Sequence, residues 1–301
     1  MAQLTQGSMD QVHGLGWLPD IPSHLDYTED HPKVAQLLSR TRLARRVGVP
    51  VERRHAAAAE AALPAKVDLR PSFSPIEDQG AIGSCTAQAA AGLMEYFEKH
   101  ASGKWVDASR LFLYKVERDL LGWTGDTGAF LRTAMEALVM FGAPAERYWP
   151  YNTVKFDVEP PAFCYALAAN YKTVSYFRLD PPGTTPAQLL QNIKTYLAAG
   201  FPSMYGFPVY PEYDHPAPGG LIGYPGPGEK SRGGHANVAA GYDDTLKIGN
   251  DVGALLVRNS WGTGWALAGY GWLSYRYVLQ GLATDWWSVI SEQWVATGQF
   301  D

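Results

Sequence analysis

Cysteine is nearly absent from this chain: Cys85 and Cys164 are its only two, among 301 residues. At most one disulfide can form, so the fold must be held by its core and not by a disulfide framework. The seven histidines are scattered, and together with the two cysteines they make no zinc-type spacing. No Gly-rich phosphate loop of the P-loop or dinucleotide kind is present. Apolar runs of about 18 residues, the length needed to cross a bilayer, are missing. The first 25 residues also lack the charged-then-apolar start of a secretory signal, so the compartment stays open. Net charge is only −5, which makes no general electrostatic case for nucleic acid. The expectation is a monomer without metal or cofactor, bound to neither membrane nor nucleic acid.

What the chain does have is core-forming material, with 46% hydrophobic and 13% aromatic residues. That composition implies a packed globular protein. Its 31 glycines and 21 prolines imply long, shaped loops around the core. Charge is uneven at the start. Residues 1–30 carry five acids and no Lys or Arg, while residues 31–62 carry seven basic residues against two acids. Apolar positions Val34, Leu37, Leu38 and Leu43 predict a short helix within His31–Val47, ending near Gly48-Val49-Pro50. Arg53-Arg54-His55 and the run Ala56 to Ala62 then read as a linker. Residues 1–62 are accordingly expected to be a leader, and 63–301, which carries the whole net charge, the body.

Within the body, helices are predicted over Thr86–Lys99, Ser109–Leu121, Phe130–Phe141 and Pro186–Ala199. Short β-type runs follow from about Tyr171: Tyr171–Leu179, Ser203–Val209, Asn237–Tyr242, Gly253–Asn259 and Gly269–Tyr277. Helices first and strands later imply an α+β fold with two lobes, 63–170 mainly helical and 171–301 mainly β.

Three residues stand out chemically. Cys85 lies at the start of a predicted helix, where unpaired N–H groups and the dipole favour the thiolate. A nearby imidazolium would lower the thiol pKa further and give an ion pair ready to attack a carbonyl. Taken alone, Cys85 is more readily a small buried hydrophobe, the commonest fate of a lone cysteine. His235, in Gly233-Gly234-His235-Ala236, sits at the edge of an apolar strand-like run and can project into a cleft. Asn259 opens Asn259-Ser260-Trp261-Gly262-Thr263-Gly264-Trp265 at a strand end. Its side-chain oxygen could accept an imidazole N–H and fix tautomer and orientation. The two tryptophans could shield that bond from water.

These segments, with Leu63-Pro64-Ala65-Lys66-Val67-Asp68-Leu69-Arg70 and Gln79…Gly83-Ser84-Cys85, resemble the papain-like cysteine peptidase family, in its bacterial form. The order is Cys, His, Asn, with 150 residues from Cys85 to His235 and 24 more to Asn259. With Gly269-Tyr270 the resemblance runs through most of residues 63–275. It implies a papain-like two-lobe fold, a helical lobe plus a β-barrel-like lobe with the cleft between them. It also implies Cys85 as nucleophile, His235 as base then acid, Asn259 as orienter and Gln79 as an oxyanion donor. Trp261 would pack over the His–Asn pair, and Gly128 would line the substrate backbone. The implied reaction is endopeptidase hydrolysis through a thioester, on peptide or protein substrates.

Two departures from the family pattern are visible. Ile82 stands where a cysteine is usual and Thr86 where Trp is usual, so the family's usual disulfide from that position is absent. The leader lacks the long helical pattern of plant and animal relatives. Trp17-Leu18-Pro19-Asp20-Ile21-Pro22, with rigid prolines and apolar anchors, suits an extended strand laid in the cleft to restrain the enzyme, with maturation by cutting within Arg53–Ala62. Aromatic and aliphatic residues in Tyr205–Gly228 and Tyr270–Gln280 imply an apolar second substrate pocket. Two rivals stay open: a silent peptide-binding relative, and a transpeptidase using the same thioester.

Overall fold

The structure, a computed structural model, describes residues 13–46, 49, 63–171 and 175–301. The expected linker and cutting region, Arg53–Ala62, lies outside the described residues. In chain order the elements are α1 (Pro32–Leu38), β1 (Lys66–Asp68), α2 (Cys85–Ser102), α3 (Arg110–Leu120), α4 (Leu131–Met140), α5 (Ala162–Ala168), β2 (Ser175–Arg178) and α6 (Pro186–Ala198). There follow β3 (Ser203–Val209), α7 (Pro211–Asp214), β4 (Leu221–Ile222), β5 (Gly233–Ile248), β6 (Asp251–Arg258), β7 (Tyr270–Ser274), α8 (Arg276–Leu279), β8 (Thr284–Ile290) and α9 (Glu292–Val295).

Helix α2 is buried on all sides from Cys85 to Phe97, a mostly small and apolar run that also encloses Gln88 and Glu95. It stops at Gly103, whose φ of +73° only glycine adopts cheaply and whose N–H closes on Lys99 O at 2.8 Å. Helix α3 starts on Ser109, whose hydroxyl accepts from Phe112 N. Helix α6 has a capping box from Thr185 and Gln188, with Pro186 in its first turn. Helix α2 packs against α3, α4 and strand β5.

The strands form one sheet in the order β2-β8-β3-β5-β6-β7-β4, with β1 added on β5. Pairing is antiparallel except for β4 with β7. One continuous core reaches from Trp17 to Phe300 and includes residues of both the helical and the β-rich parts. This is the two-lobe α+β papain-like arrangement.

Beyond several short elements the sequence reading did not list, four details differ from it. The N-terminal helix is shorter, Pro32–Leu38, and a separate single turn of 3₁₀ helix covers Ala44–Arg46. The run Tyr171–Leu179 gives a strand only at Ser175–Arg178, and residues 172–174 are outside the described set. Strand β5 extends to Ile248, because the polar Asp243–Thr245 stretch continues as a hairpin arm with β6. Strand β8 went unforeseen: Asp285 and Ser288 interrupt its apolar run, yet it fills the space between β2 and β3.

Candidate active site

Cys85 is the first residue of α2. The preceding Ser84 does not cap the helix through its side chain, and its hydroxyl lies 2.7 Å from Tyr151 Oη instead. The helix start therefore keeps unpaired N–H groups beside the thiol. His235 is the third residue of β5, and Asn259 directly follows β6. The register Val238↔Arg258 sets Asn259 one step further along, level with Asn237. His235 is two residues from Asn237, so both ring and amide project on one face of the sheet. His235 Nε2 and Asn259 Oδ1 are 2.8 Å apart. An amide oxygen can only accept, so Nε2 carries the proton. Nδ1 has no hydrogen-bond partner among the described residues.

Trp261 covers this pair, its ring 4.8 Å from that of His235. Phe207 and Tyr213 meet the imidazole edge-on from other sides. Gln79 reaches the same place from the loop before α2. Its backbone N–H donates to Ser260 O at 2.8 Å, and Ser260 Oγ donates to its Oε1 at 2.6 Å. The amide oxygen is thus occupied, which turns Nε2 away from Ser260. Nε2 donates to Ile82 O and to Gly14 O, each at 3.0 Å.

That second acceptor belongs to the N-terminal segment, which runs along the site from His13 to Leu18. Gly14 N donates to Gly80 O at 3.0 Å, Trp17 N to Gly234 O at 3.1 Å and Leu18 N to Ala129 O at 3.0 Å. Ala129 N donates to Gly16 O at 2.8 Å. The fit depends on glycines from both partners. A Cβ on Gly16 would lie 1.8 Å from Gly83 O, and one on Gly128, whose φ is +70°, would lie 2.1 Å from Gly16 O. The His13 ring stacks on Trp261 at 4.8 Å with 5° between the planes. Trp17 is buried against Gly206, and its Nε1 donates to Asp285 Oδ2 at 3.0 Å. Pro19–Pro22, expected as part of the groove strand, instead passes outward. Asp20 pairs with Arg132 at 2.6 Å, and Ile21 stands exposed.

Under this cover Cys85, His235 and Gln79 have no exposed surface. Burial pushes the Cys85 thiol up to about 12, although the N–H groups of Ala236, Gly16 and Trp17 at the sulfur pull the other way. Burial likewise lowers His235 to about 4, against the bond to Asn259, which raises it. Both groups are therefore neutral near pH 7. This differs from the thiolate–imidazolium pair expected from the sequence, and the reason is desolvation, which disfavours either charged form.

The structure thus gathers Cys85, His235, Asn259, Gln79, Gly128 and Trp261 around one cleft. Sequence reasoning missed Ser260, Ala129, Gly206 and Asp285. Ser260 sits inside the Asn259–Trp265 motif and could have been noticed; Asp285 had no pattern to announce it. Cys164 is buried elsewhere, with Sγ 3.8 Å from Tyr148 O, and both cysteines are free thiols. Among the described residues no cluster of His, Cys, Asp and Glu could hold a metal ion, and no helix is long and apolar enough to cross a membrane.

Comparison with known proteins gives the family of the chain. The family described as papain family cysteine protease matches residues 63–287. An uncharacterised peptidase C1-like protein of Acanthamoeba polyphaga mimivirus is 36% identical over 229 residues, covering 74% of this chain and 71% of the relative. Germination-specific cysteine protease 1 of Arabidopsis thaliana is 27% identical over 251 residues, covering 81% of this chain and 62% of the relative. Among solved structures, xylellain, a cysteine protease from Xylella fastidiosa, superposes with a TM-score of 0.73 at 30% identity. That match covers 95% of this chain and 99% of xylellain. The chain belongs to the papain family of cysteine proteases and is a peptidase.

Proposed function

We propose that the chain is an endopeptidase whose reaction is carried by Cys85, His235, Asn259 and Gln79, with residues 1–62 a leader that holds it latent. On this reading residues 63–170 and 171–301 form the two lobes of the catalytic body. One observation carries the proposal: a peptide already lies across the nucleophile, with the Gly14 carbonyl held by Gln79 Nε2 at 3.0 Å. The cleft binds backbone where chemistry would occur.

With the leader displaced, water returns to the site, and the thiolate and imidazolium become accessible. The Cys85 sulfur attacks the scissile carbonyl carbon, forming a C–S bond as the carbonyl π pair moves onto oxygen. Gln79 Nε2 and the Cys85 N–H stabilise that oxyanion, a donor of this kind being worth roughly 3–4 kcal/mol. His235 gives its proton to the departing amine, and the C–N bond breaks to leave a thioester. His235 then takes a proton from water, whose oxygen attacks the thioester and releases the acid and the thiol. Asn259 holds Nε2 throughout, so Nδ1 is the nitrogen that exchanges protons. Gly128 and Ala129 form a ledge for the substrate backbone, and Trp261 keeps water off the His–Asn bond.

The leader turns the N–H groups of Gly16 and Trp17 toward the sulfur, so they donate to it in place of a carbonyl carbon presented for attack. Labelling by an epoxide-type thiol inhibitor tests the proposal, on the full chain and on a form beginning at Leu63, with Cys85→Ala as control. Labelling at Cys85 alone, turnover lost in Cys85→Ala and faster turnover without the leader are the expected results. A folded short form that neither labels nor turns over peptide would overturn the peptidase assignment to these residues. Equal activity of the two forms would overturn the restraining role.

A further inference from the structure

Four buried polar atoms beside the His235–Asn259 pair have no hydrogen-bond partner among the described residues. They are Asn259 Nδ2, Asn237 Oδ1 and both amide atoms of Gln88, Nε2 and Oε1. The three residues are 3%, 1% and 5% exposed, so bulk water does not reach them. Bare amides in such a place are costly, and folded proteins rarely keep them.

The three side chains come from different elements yet line one cavity of about 10 Å³, between α2 and the strands β5 and β6. Gln88 lies on α2 one turn past Cys85, Asn237 is next but one to His235 on β5, and Asn259 follows β6. Two of the amides are oriented by their other atoms. Asn259 Oδ1 accepts from His235 Nε2 and from Ser260 N, both at 2.8 Å, which turns Nδ2 away from the imidazole. Asn237 Nδ2 donates to Tyr213 Oη, which leaves Oδ1 for the cavity.

Chemistry decides the occupant. The Asn259 N–H donor and the Arg258 guanidinium in the wall exclude a cation. The Glu77 carboxylate and the bare amide oxygens exclude an anion. Both charged residues are engaged elsewhere, Arg258 with Ser74 and Pro75, Glu77 with Arg110. The space takes one water, which needs about two to four polar partners. Such a water accepts from Asn259 Nδ2 and donates to Asn237 Oδ1 and Gln88 Oε1. Gln88 Nε2 is then left to the Tyr151 hydroxyl close by.

Resting on the reaction proposed above, we propose that one water bound by Gln88, Asn237 and Asn259 is a built part of the site, with Gln88 the positioning residue that holds it. Through this water the helix carrying the nucleophile is tied to the residue that orients the base. An amide that donates through Nδ2 is polarised and accepts more strongly through Oδ1. The His235–Asn259 bond is thereby strengthened while the ring exchanges its proton. On the other side Asn237 holds Tyr213, whose ring meets the imidazole edge-on at 5.8 Å. The water thus steadies His235 through both Asn259 and Tyr213.

Diffraction from crystals of the full chain decides the site without any chemistry. One ordered water within hydrogen-bond reach of Asn259 Nδ2, Asn237 Oδ1 and the Gln88 amide is expected. A cavity without ordered water, or Gln88 turned directly onto Asn259 Nδ2, would overturn the site. The role is read in the full chain carrying Gly16→Ala, which drives a Cβ into Gly83 O and so opens the cleft. Adding Gln88→Met removes both polar atoms at nearly constant length. It should lower kcat about tenfold with KM within about twofold, the loss of one hydrogen-bond partner being of about that size. Asn237→Leu should act in the same direction and serves if the first variant does not fold. A folded variant with unchanged kcat, whatever its thermal midpoint, would make Gln88 a packing residue and overturn the positioning role. If the Gly16→Ala chain cuts no peptide, the hydrolytic reading fails separately. Iodoacetamide labelling of Cys85 then takes the place of turnover, with a slower rate expected in Gln88→Met and an equal rate overturning the role.

Discussion

A thiol and an imidazole at the bottom of a sealed cleft both stay uncharged, and that governs how each residue of this site should respond to change. Iodoacetamide reacts with thiolate, so the full chain should label slowly at Cys85 near pH 7, where a pKa of about 12 leaves almost no thiolate. Gly16→Ala should raise the labelling rate at least about tenfold by letting water back to the sulfur. A rate unchanged by Gly16→Ala would mean that the segment does not seal the thiol. Gln79→Ala in an opened chain should cut kcat about 10²–10³-fold with the fold intact, as removal of one oxyanion donor does elsewhere. Ser260→Ala should produce a smaller loss, since it only frees the amide to rotate; kcat and circular dichroism together check both. Cys85, His235, Asn259 and Gln79 were legible in the sequence because each lies in a local motif. Ser260 was legible only as a neighbour. Asp285 was illegible, because its meaning depends on a left-handed backbone and on Trp17, 268 residues away.

The elements matter through what they hold in register. Strands β5 and β6 fix His235 against Asn259, and a slip of one residue would turn one of the two side chains to the other face. Helix α2 sets the nucleophile at its first turn. Its start was readable from an Ala-rich, Pro-free run, as were α3, α4 and α6 from their apolar patterns. Strand β8 was not, since a strand covered on both sides shows no alternation for a sequence to display. The N-terminal strand is anchored chiefly by Trp17. Trp17→Ala should weaken its docking by about 3–5 kcal/mol, the usual cost of truncating a large buried aromatic. Faster Cys85 labelling and earlier proteolysis near residues 13–46, with an unchanged thermal transition for the body, are the expected results. A shift of the body transition instead would show that Trp17 serves the core and not the closure.

For the whole molecule, closure and pH are linked. Burial lowers His235 to about 4 and raises the Cys85 thiol to about 12, so the closed pair holds one proton, on sulfur, as an open thiolate–imidazolium pair also does. Closure is therefore indifferent to pH near neutrality. It weakens in acid, where an open thiol and imidazole would both be protonated while the closed imidazole stays neutral down to about 4. It weakens again in base, where an open pair would lose its last proton while the closed thiol keeps it up to about 12. Proteolytic accessibility of the N-terminal segment should accordingly be lowest near neutral pH and rise on either side. A profile flat from pH 7 to 4 would remove the His235 contribution. A second fastening lies far from the thiol, where the buried Asp26 bridges Arg132 and Arg178. Asp26→Ala removes the acid these guanidiniums share but leaves Asp20 on Arg132 and Asp180 and Asp285 on Arg178, and should loosen the segment by about 1–3 kcal/mol, read as faster proteolysis within residues 13–46.

The sequence by itself determined the family, the α+β order of elements and the chemical identity of the site, because those reside in local patterns and fixed spacings. Only the tertiary structure decided the protonation state of the site and the long-range contacts that close it. Both follow from desolvation and from charges brought together across hundreds of residues. His13–Leu18 covers Cys85, 67 residues beyond Leu18, and Asp285 meets Arg178 and Trp17 inside the core. Burial and long-range charge are sums over the folded neighbourhood, and no short stretch of chain contains them.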